Sequence, residues 1–249
     1  MPLPGITRHS FFPGMRYVVQ VPSPKPQFDN GTFDYGLSGY NVYNEQISPG
    51  GVITGKRSTL LGCPIPADPT PYPIGEFGVL SIPTVSPGQT ATFTGSTSTT
   101  LGFTNGFKTE VLPSGPYGPY LSLAIKGNVK PGGSTVYGPA VVSANPVVAA
   151  VGDRISFYWT AQGGGDAYNV LAYIIDPTQS CKYFIMVDDT GDSGSATFPW
   201  TKVSKVIGPG EAGNYYFVFI CGTFDFSFGG AVGALLGVDT IKIEKAGTY

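Results

Sequence analysis

Between Val151 and Asp176 the chain reads VGDRISFYWTAQGGGDAYNVLAYIID. Two strand-like runs flank a glycine-rich loop that carries one acid, Asp166. The pattern returns in NYYFVFICGTFDFSFGGAVGALLGVDTIKIE, residues 214–244, where the loop acid is Asp225. Loops of this kind sit at the rim of a β-sandwich, where glycine supplies tight turns between short strands. Ile155, Phe157 and Trp159 alternate, as do Phe217, Phe219 and Cys221, so each strand is expected to bury one face. Ile241 and Ile243 alternate with Lys242 and Glu244, the signature of a half-exposed last strand. With 36 Gly and 23 Pro, helices are disfavoured throughout, and the glycines of Ala231–Gly237 weaken the one helical turn that could be drawn.

Strands are expected over 89–94, 107–112, 120–126, 135–143, 154–162, 169–176, 182–187, 195–198, 202–207, 215–221 and 236–244. Spacing near ten residues between turn signals predicts an all-β, antiparallel sandwich. Residues 1–27 are proline-rich and read as an extended arm. Phe11, Phe12 and Tyr17 are its expected apolar contacts for assembly, and Tyr17–Val21 reads as one short strand that could be added to a sheet. The sandwich is expected over 28–246, with a proline-rich loop insertion at 63–88 and a tail at 247–249.

Formal net charge is −2 and no dense Lys/Arg cluster occurs, which argues against nucleic-acid binding. No apolar run approaches the roughly 20 residues that span a bilayer. The first residues lack a continuous apolar core, so no signal peptide is expected there. The sole histidine, His9, lies in the arm, and nothing marks a carboxylate pair, a nucleophile–base pair or a phosphate loop, so a non-enzymatic role is expected. Charged residues are only 12%, which suits lasting contact with other protein. Cys63, Cys181 and Cys221 read as buried free thiols, with a Cys181–Cys221 bridge as the alternative. The sequon Asn30-Gly-Thr32 falls in a motif with its own structural role and is not expected to carry a glycan.

NGTFDYGLSGYNVYN, residues 30–44, resembles the opening motif of galactose-binding-like and carbohydrate-binding jelly rolls. LSLAIKGN, VYGPAVVS and the two stretches quoted above resemble, in order, the rest of one such module. It is found in tailed-phage (cyanophage-type) virion structural proteins and large bacterial adhesins. The resemblance implies a jelly roll in which the opening motif pairs with the last strand. It also implies a structural Ca²⁺ between them, held by Asp34 and Asp239; Asp166 and Asp225 could form a second cluster. The bland alternative for these acids is Asx-turns and capped amides. Tyr168 and Trp200 are the glycan-contact candidates, whereas Trp159 belongs to the core by its alternation.

Two functions follow as expectations. One is a virion structural protein, a capsid decoration or tail attachment component, anchored to other virion proteins by its arm and assembled as a symmetric homo-oligomer such as a trimer. The other is a receptor-binding fibre or adhesin module that recognises cell-surface glycan, with Ca²⁺ ordering its loops. The corresponding locations are the virion and the cell surface.

Overall fold

The computed structural model describes residues 28, 30–49, 57–66, 92–94, 105–130, 132–191 and 197–248. The arm at 1–27, with Phe11, Phe12 and Tyr17, lies outside them, as do 67–88 of the expected insertion. The described residues contain strands and turns and no helix. The strands are β1 (Tyr40–Tyr43), β2 (Thr59–Leu60), β3 (Cys63–Pro64), β4 (Thr92–Thr94), β5 (Gly106–Leu112), β6 (Tyr120–Lys130), β7 (Thr135–Ser143), β8 (Val147–Ala149), β9 (Arg154–Gly163), β10 (Ala167–Asp176), β11 (Lys182–Thr190), β12 (Thr197–Val206), β13 (Gly213–Phe224) and β14 (Ala231–Glu244).

The strands form two stacked antiparallel sheets. The first runs β1-β7-β13-β10-β11, with β8 beside β13, and the second runs β12-β9-β14-β6-β4, with β5 beside β6. Number the eight long strands β6, β7 and β9–β14 from one to eight. The second sheet then reads 6-3-8-1 and the first 2-7-4-5, the two interleaved orders of a jelly roll. Apart from the β10–β11 hairpin, consecutive long strands cross between the sheets, so the loops collect at the two ends of the sandwich.

Between the sheets lies the main core. The second sheet contributes Leu121, Leu123, Ile125, Phe157, Trp159, Leu236 and Val238; the first contributes Val141, Val170, Ala172, Ile174, Phe217 and Phe219. Trp159 stacks on Phe198 at 4.2 Å, confirming its place in the core. Two expectations are corrected here. The last strand, expected from 236, begins five residues earlier at Ala231, since Ala231–Leu236 pairs in register with β6. The expected strands 195–198 and 202–207 are one strand, β12, interrupted by an irregularity between Phe198 and Thr201.

The one-sided burial expected of each strand also fails for the first sheet. Every residue of β10 is buried. Ala140, Val142, Leu171, Tyr173, Ile175, Val218 and Ile220 form a second apolar cluster on the outer face of that sheet, closed by Ile47, Leu60, Cys63 and Ile65. The run NVLAYII was the signal, because a strand covered on both faces reads as continuously apolar and does not alternate. The cysteine reading changes with it: Cys63 and Cys181 form a disulfide, with Cα atoms 5.6 Å apart, and Cys221 is the buried free thiol. Burial pushes the Cys221 thiol far up, so it stays protonated.

The opening motif is a chain of turns and not a strand; pairing begins only at Tyr40. Asn30 organises it. Its Nδ2 donates to the carbonyls of Gly36 (2.9 Å) and Ser38 (2.8 Å), and its Oδ1 accepts from the Tyr35 amide (3.1 Å). A side-chain amide spent in this way explains structurally why the sequon asparagine has another task. The loop then docks on β14, where the Ile241 amide donates to Gly31 O (2.8 Å), at a register shift between Asp239 and Lys242. Phe33 is buried beneath it and stacks on Tyr40 at 5.1 Å.

Candidate carbohydrate-binding face and cation site

The outer face of the second sheet differs from that of the first. It carries small residues in the middle and aromatics around them. Across one row the register places Glu110 of β5 opposite Ser122 of β6, Ser122 opposite Gly237 of β14, and Gly237 opposite Thr160 of β9. Above this row lies Trp200. A Cβ on Gly237 would meet the indole Cη2 at 3.0 Å and Cζ2 at 3.2 Å, so the ring rests on the glycine backbone.

The irregularity in β12 puts it there. Phe198 pairs with Ala161 and Thr201 with Trp159, so Pro199 and Trp200 share the place of one residue. A bulge of this kind re-aims a side chain. Here it turns Trp200 outward between Phe198, which packs inward on Trp159, and Lys202, which pairs with Tyr158. Proline is tolerated because β12 is an edge strand. The indole is braced edge-on by Tyr120, with ring centroids 5.2 Å apart, and remains half-buried.

One row further along, Tyr158 packs against Tyr117 at 4.2 Å. Tyr117 is 53% exposed on the loop 113–119, which closes through a 2.7 Å bond from the Gly115 amide to Gly118 O. The hydrogen bond between the two tyrosine hydroxyls, more than any other cause, raises the Tyr117 pKa. Burial, with the charge of Glu110 behind it, raises that of Tyr120. Both rings stay neutral phenols at physiological pH. The polar groups at the margin are Lys108 and Glu110, which pair at 2.8 Å, and Lys202.

Asp239 lies under this aromatic end, opposite Tyr158 in the register. It is buried. Its Oδ1 accepts from the Thr240 hydroxyl at 3.0 Å; Oδ2 makes no well-formed hydrogen bond, although the Tyr117 amide approaches the carboxylate closely enough to favour its charged form. Burial first, and the nearby Asp34 charge in addition, hold its carboxyl above the usual range. The opening loop that carries Asp34 docks on β14 beside the register shift at Asp239, and the Asp34 charge is felt at Asp239. Asp34 itself is exposed and accepts from Thr32 Oγ1 at 2.6 Å. A buried carboxylate oxygen without a well-formed hydrogen bond has the chemistry of a ligand for a hard cation such as Ca²⁺, and Asp34 would be the second carboxylate of such a site. Among the described residues no group of three or more His, Cys, Asp or Glu side chains forms a denser site.

Asp166 and Asp225 also come together, but their oxygens are spent. Asp225 Oδ2 accepts the amides of Gly133 and Gly230, each at 2.8 Å. Asp166 Oδ2 accepts the Ser227 hydroxyl at 2.9 Å and its amide at 3.2 Å, and Oδ1 accepts the Ala167 amide. Burial and the hydrogen bond shared with Asp225 raise the Asp166 pKa. This arrangement ties the loops at one end of the sandwich together, the capped-amide alternative weighed for these acids. Of the two glycan candidates, Tyr168 is packed, not presented: it is 4% exposed and its hydroxyl donates to Asp189 at 2.9 Å. Tyr117, Tyr120 and Tyr158 were missed, because a proline-rich loop and alternate strand positions show no aromatic cluster until the register is known.

The state of Asp239 gives a directional test. An acid with a raised folded pKa binds its proton more tightly in the folded state. Its contribution to stability is complete below the unfolded value of about 4 and is lost as pH rises through the folded one. In metal-free buffer Asp239→Asn is therefore expected to melt above the parent at pH 7, with the difference closing towards about pH 4. With calcium the order reverses: the parent gains about 2.7 kcal/mol at a hundredfold excess over Kd, and the variant gains none. Thermal denaturation across pH, with and without calcium, checks both arms.

No family model matches the chain, and no curated protein does. Among solved structures it is similar to a carbohydrate-binding module of the β-sandwich superfamily, at 10% identity over 62% of this chain and 57% of that one, with a TM-score of 0.35. It is similar to a CBM4 module at 18% identity over 55% of this chain and 89% of that one, TM-score 0.31. It is also similar to the enzymatically active domain of tailspike protein 4 of bacteriophage CBA120, at 12% identity, TM-score 0.29. The match covers 61% of this chain but only 19% of the tailspike chain.

Proposed function

We propose that the chain is a carbohydrate-recognition module that binds without catalysis, using the outer face of its second sheet, and that it serves as a receptor-binding or adhesin module for cell-surface glycan. The observation that carries this reading is the setting of Trp200. Its indole is laid on Gly237 by a bulge and braced by Tyr120. An aromatic plane fixed in this way offers an apolar surface to the C–H face of a sugar ring at little ordering cost. Glu110, Lys108 and Lys202 stand at its margin as partners for hydroxyl groups. Calcium at Asp34 and Asp239 would hold the opening loop and the ground beneath Tyr158 in place.

The virion-structural reading draws on the proline-rich arm at 1–27, which lies outside the described residues, together with the low charge and the module resemblance; the setting of Trp200 supports glycan recognition instead. Titration of the protein with a panel of soluble polysaccharides, in calcium-containing buffer, tests the proposal through tryptophan fluorescence. A saturable change with at least one neutral or charged glycan is expected. Flat titrations across the panel, together with an empty glycan array, would remove it.

A further inference from the structure

The outer face of the first sheet is sealed by a small cover whose attachment is unusual. An antiparallel sandwich sheet ordinarily turns its outer face to water. Here that face presents Val142, Leu171, Tyr173, Ile175, Val218 and Ile220, all buried. The cover is the segment 44–49 together with the hairpin β2–β3, which inserts Ile47, Leu60, Cys63 and Ile65. Most of its polar bonds are internal: Ser48 N to Arg57 O (2.9 Å), Ile65 N to Ser58 O (3.1 Å) and the Arg57–Glu45 ion pair. To the sandwich it is joined by the chain from β1, the 2.8 Å bond from the Ile47 amide to Tyr137 O, a 2.7 Å bond from the Thr109 hydroxyl to Asn44 Oδ1, the Arg57 guanidinium over the Tyr43 ring, the apolar contacts, and the disulfide from Cys63 to Cys181 in the β10–β11 turn. Two paired positions make a hairpin far too short to persist alone.

Both ends of the disulfide lie at turns built against preference. Leu61 (φ 54°) occupies the hairpin turn, and Ser180 (φ 52°) and Cys181 (φ 58°) occupy the other, all in the left-handed region that non-glycine residues avoid. Such conformations persist where the surroundings over-determine them. The surroundings here are the cover and its covalent tie.

We propose that Cys63–Cys181 is a redox-sensitive latch that keeps the cover closed on the first sheet, and that a dithiol reductant opens it without unfolding the sandwich. The sulfur open to attack is that of Cys181, which is half-buried, whereas Cys63 is buried among apolar side chains. A reductant thiolate attacks Cys181 Sγ, forming a mixed disulfide and releasing Cys63 as a thiolate that takes a proton. The reductant's second thiolate then attacks the mixed disulfide, closes the reductant's own disulfide and frees Cys181. The protein gains two electrons and the dithiol loses two. An apolar pocket disfavours the leaving thiolate. Reduction and opening of the cover are therefore coupled, and the closed form is the one that persists in oxidising surroundings. Opened, the molecule shows an aliphatic face with Tyr173 at its centre, on the side opposite Trp200.

The test uses the full chain, titrated with a small dithiol and followed by hydrogen exchange, dye binding to apolar surface, and alkylation mapped by mass. On reduction, peptides covering 44–49 and 57–66 are expected to exchange at least tenfold faster while β9 and β14 keep their protection. Dye binding should rise, and Cys63 and Cys181 should be alkylated with Cys221 spared. Unchanged exchange of the hairpin in the reduced protein would overturn the latch. So would loss of protection in β9 and β14 in step with the hairpin, which would make the bond a staple for the whole fold. The oxidised variant Leu60→Asp weakens the apolar seat of the hairpin with the disulfide intact. Its hairpin should stay protected until the bond is reduced, and exchange in the oxidised variant as fast as in the reduced parent would show that packing, not the disulfide, holds the cover.

Discussion

Trp200→Ala is expected to weaken glycan binding at least about thirtyfold, equivalent to about 2 kcal/mol, while leaving the melting temperature within a few degrees of the parent. The asymmetry follows from where the ring lies. It is half-buried on an edge strand, outside both apolar clusters, so its loss opens no core cavity. Yet it is the flat surface to which the small residues Ser122, Gly237 and Thr160 give room. A second variant separates the ring's presence from its placement. In Gly237→Ala the new Cβ would stand 2.6 Å from the Thr160 methyl and 3.0 Å from the indole, so both side chains must move and the ring lifts off the sheet. Binding should fall with Trp200 still present. Calorimetric titration with the best glycan from the panel reads both effects, and thermal denaturation reports the fold. Equal affinity in parent and Trp200→Ala would move the binding surface elsewhere on the molecule.

Much of this architecture was legible because period and punctuation agree. Thr135–Ser143 forms the strand expected of it, residue for residue, and β9, β10 and β13 extend their expected runs by one to three residues at an end. Trp159 was placed in the core by its alternation with Phe157, and the resemblance of the opening motif placed that motif against the last strand, where Gly31 O accepts from the Ile241 amide. What stayed hidden was set by non-local geometry. Cys63 and Cys181 are 118 residues apart, and nothing local shows that a hairpin folds back over the β10–β11 turn. Trp200 looked like a turn residue because FPWTK interrupts the strand alternation. Only the pairing of β12 with β9 shows that the interruption is a bulge that aims the ring outward. Tyr168 misled for the opposite reason: it follows a glycine-rich loop, but the chain has already entered β10, and the ring packs in the main core.

Gly31→Ala is expected to cost about 3 kcal/mol or more and to abolish the calcium response, although Gly31 itself carries no ligand atom in its side chain. A Cβ there would lie 2.1 Å from the carbonyl oxygen of Ile241 and 3.1 Å from its carbon. These are backbone atoms of β14, held by pairing with β9 through Lys242 and Ile243, so they cannot yield. The loop must yield instead. Undocking breaks the bond from the Ile241 amide to Gly31 O and lifts Phe33 from its stack on Tyr40. It also disturbs the 2.9 Å bond from the Tyr40 hydroxyl to Asn30 O. Exposing a buried phenylalanine costs about 3–5 kcal/mol on the scale of core truncations. For a chain of this length that lowers the melting temperature by about 6–12 °C or more. Asp34 rides on the same loop, so the proposed pairing of its carboxylate with Asp239 is lost when the loop undocks, and added calcium should no longer raise the melting temperature. Asp34→Asn supplies the control: it removes the charge with the loop still docked, so it should lose the calcium response without the large loss of stability. A Gly31→Ala protein that melts with the parent and still responds to calcium would show that the opening loop is not what builds the cation site.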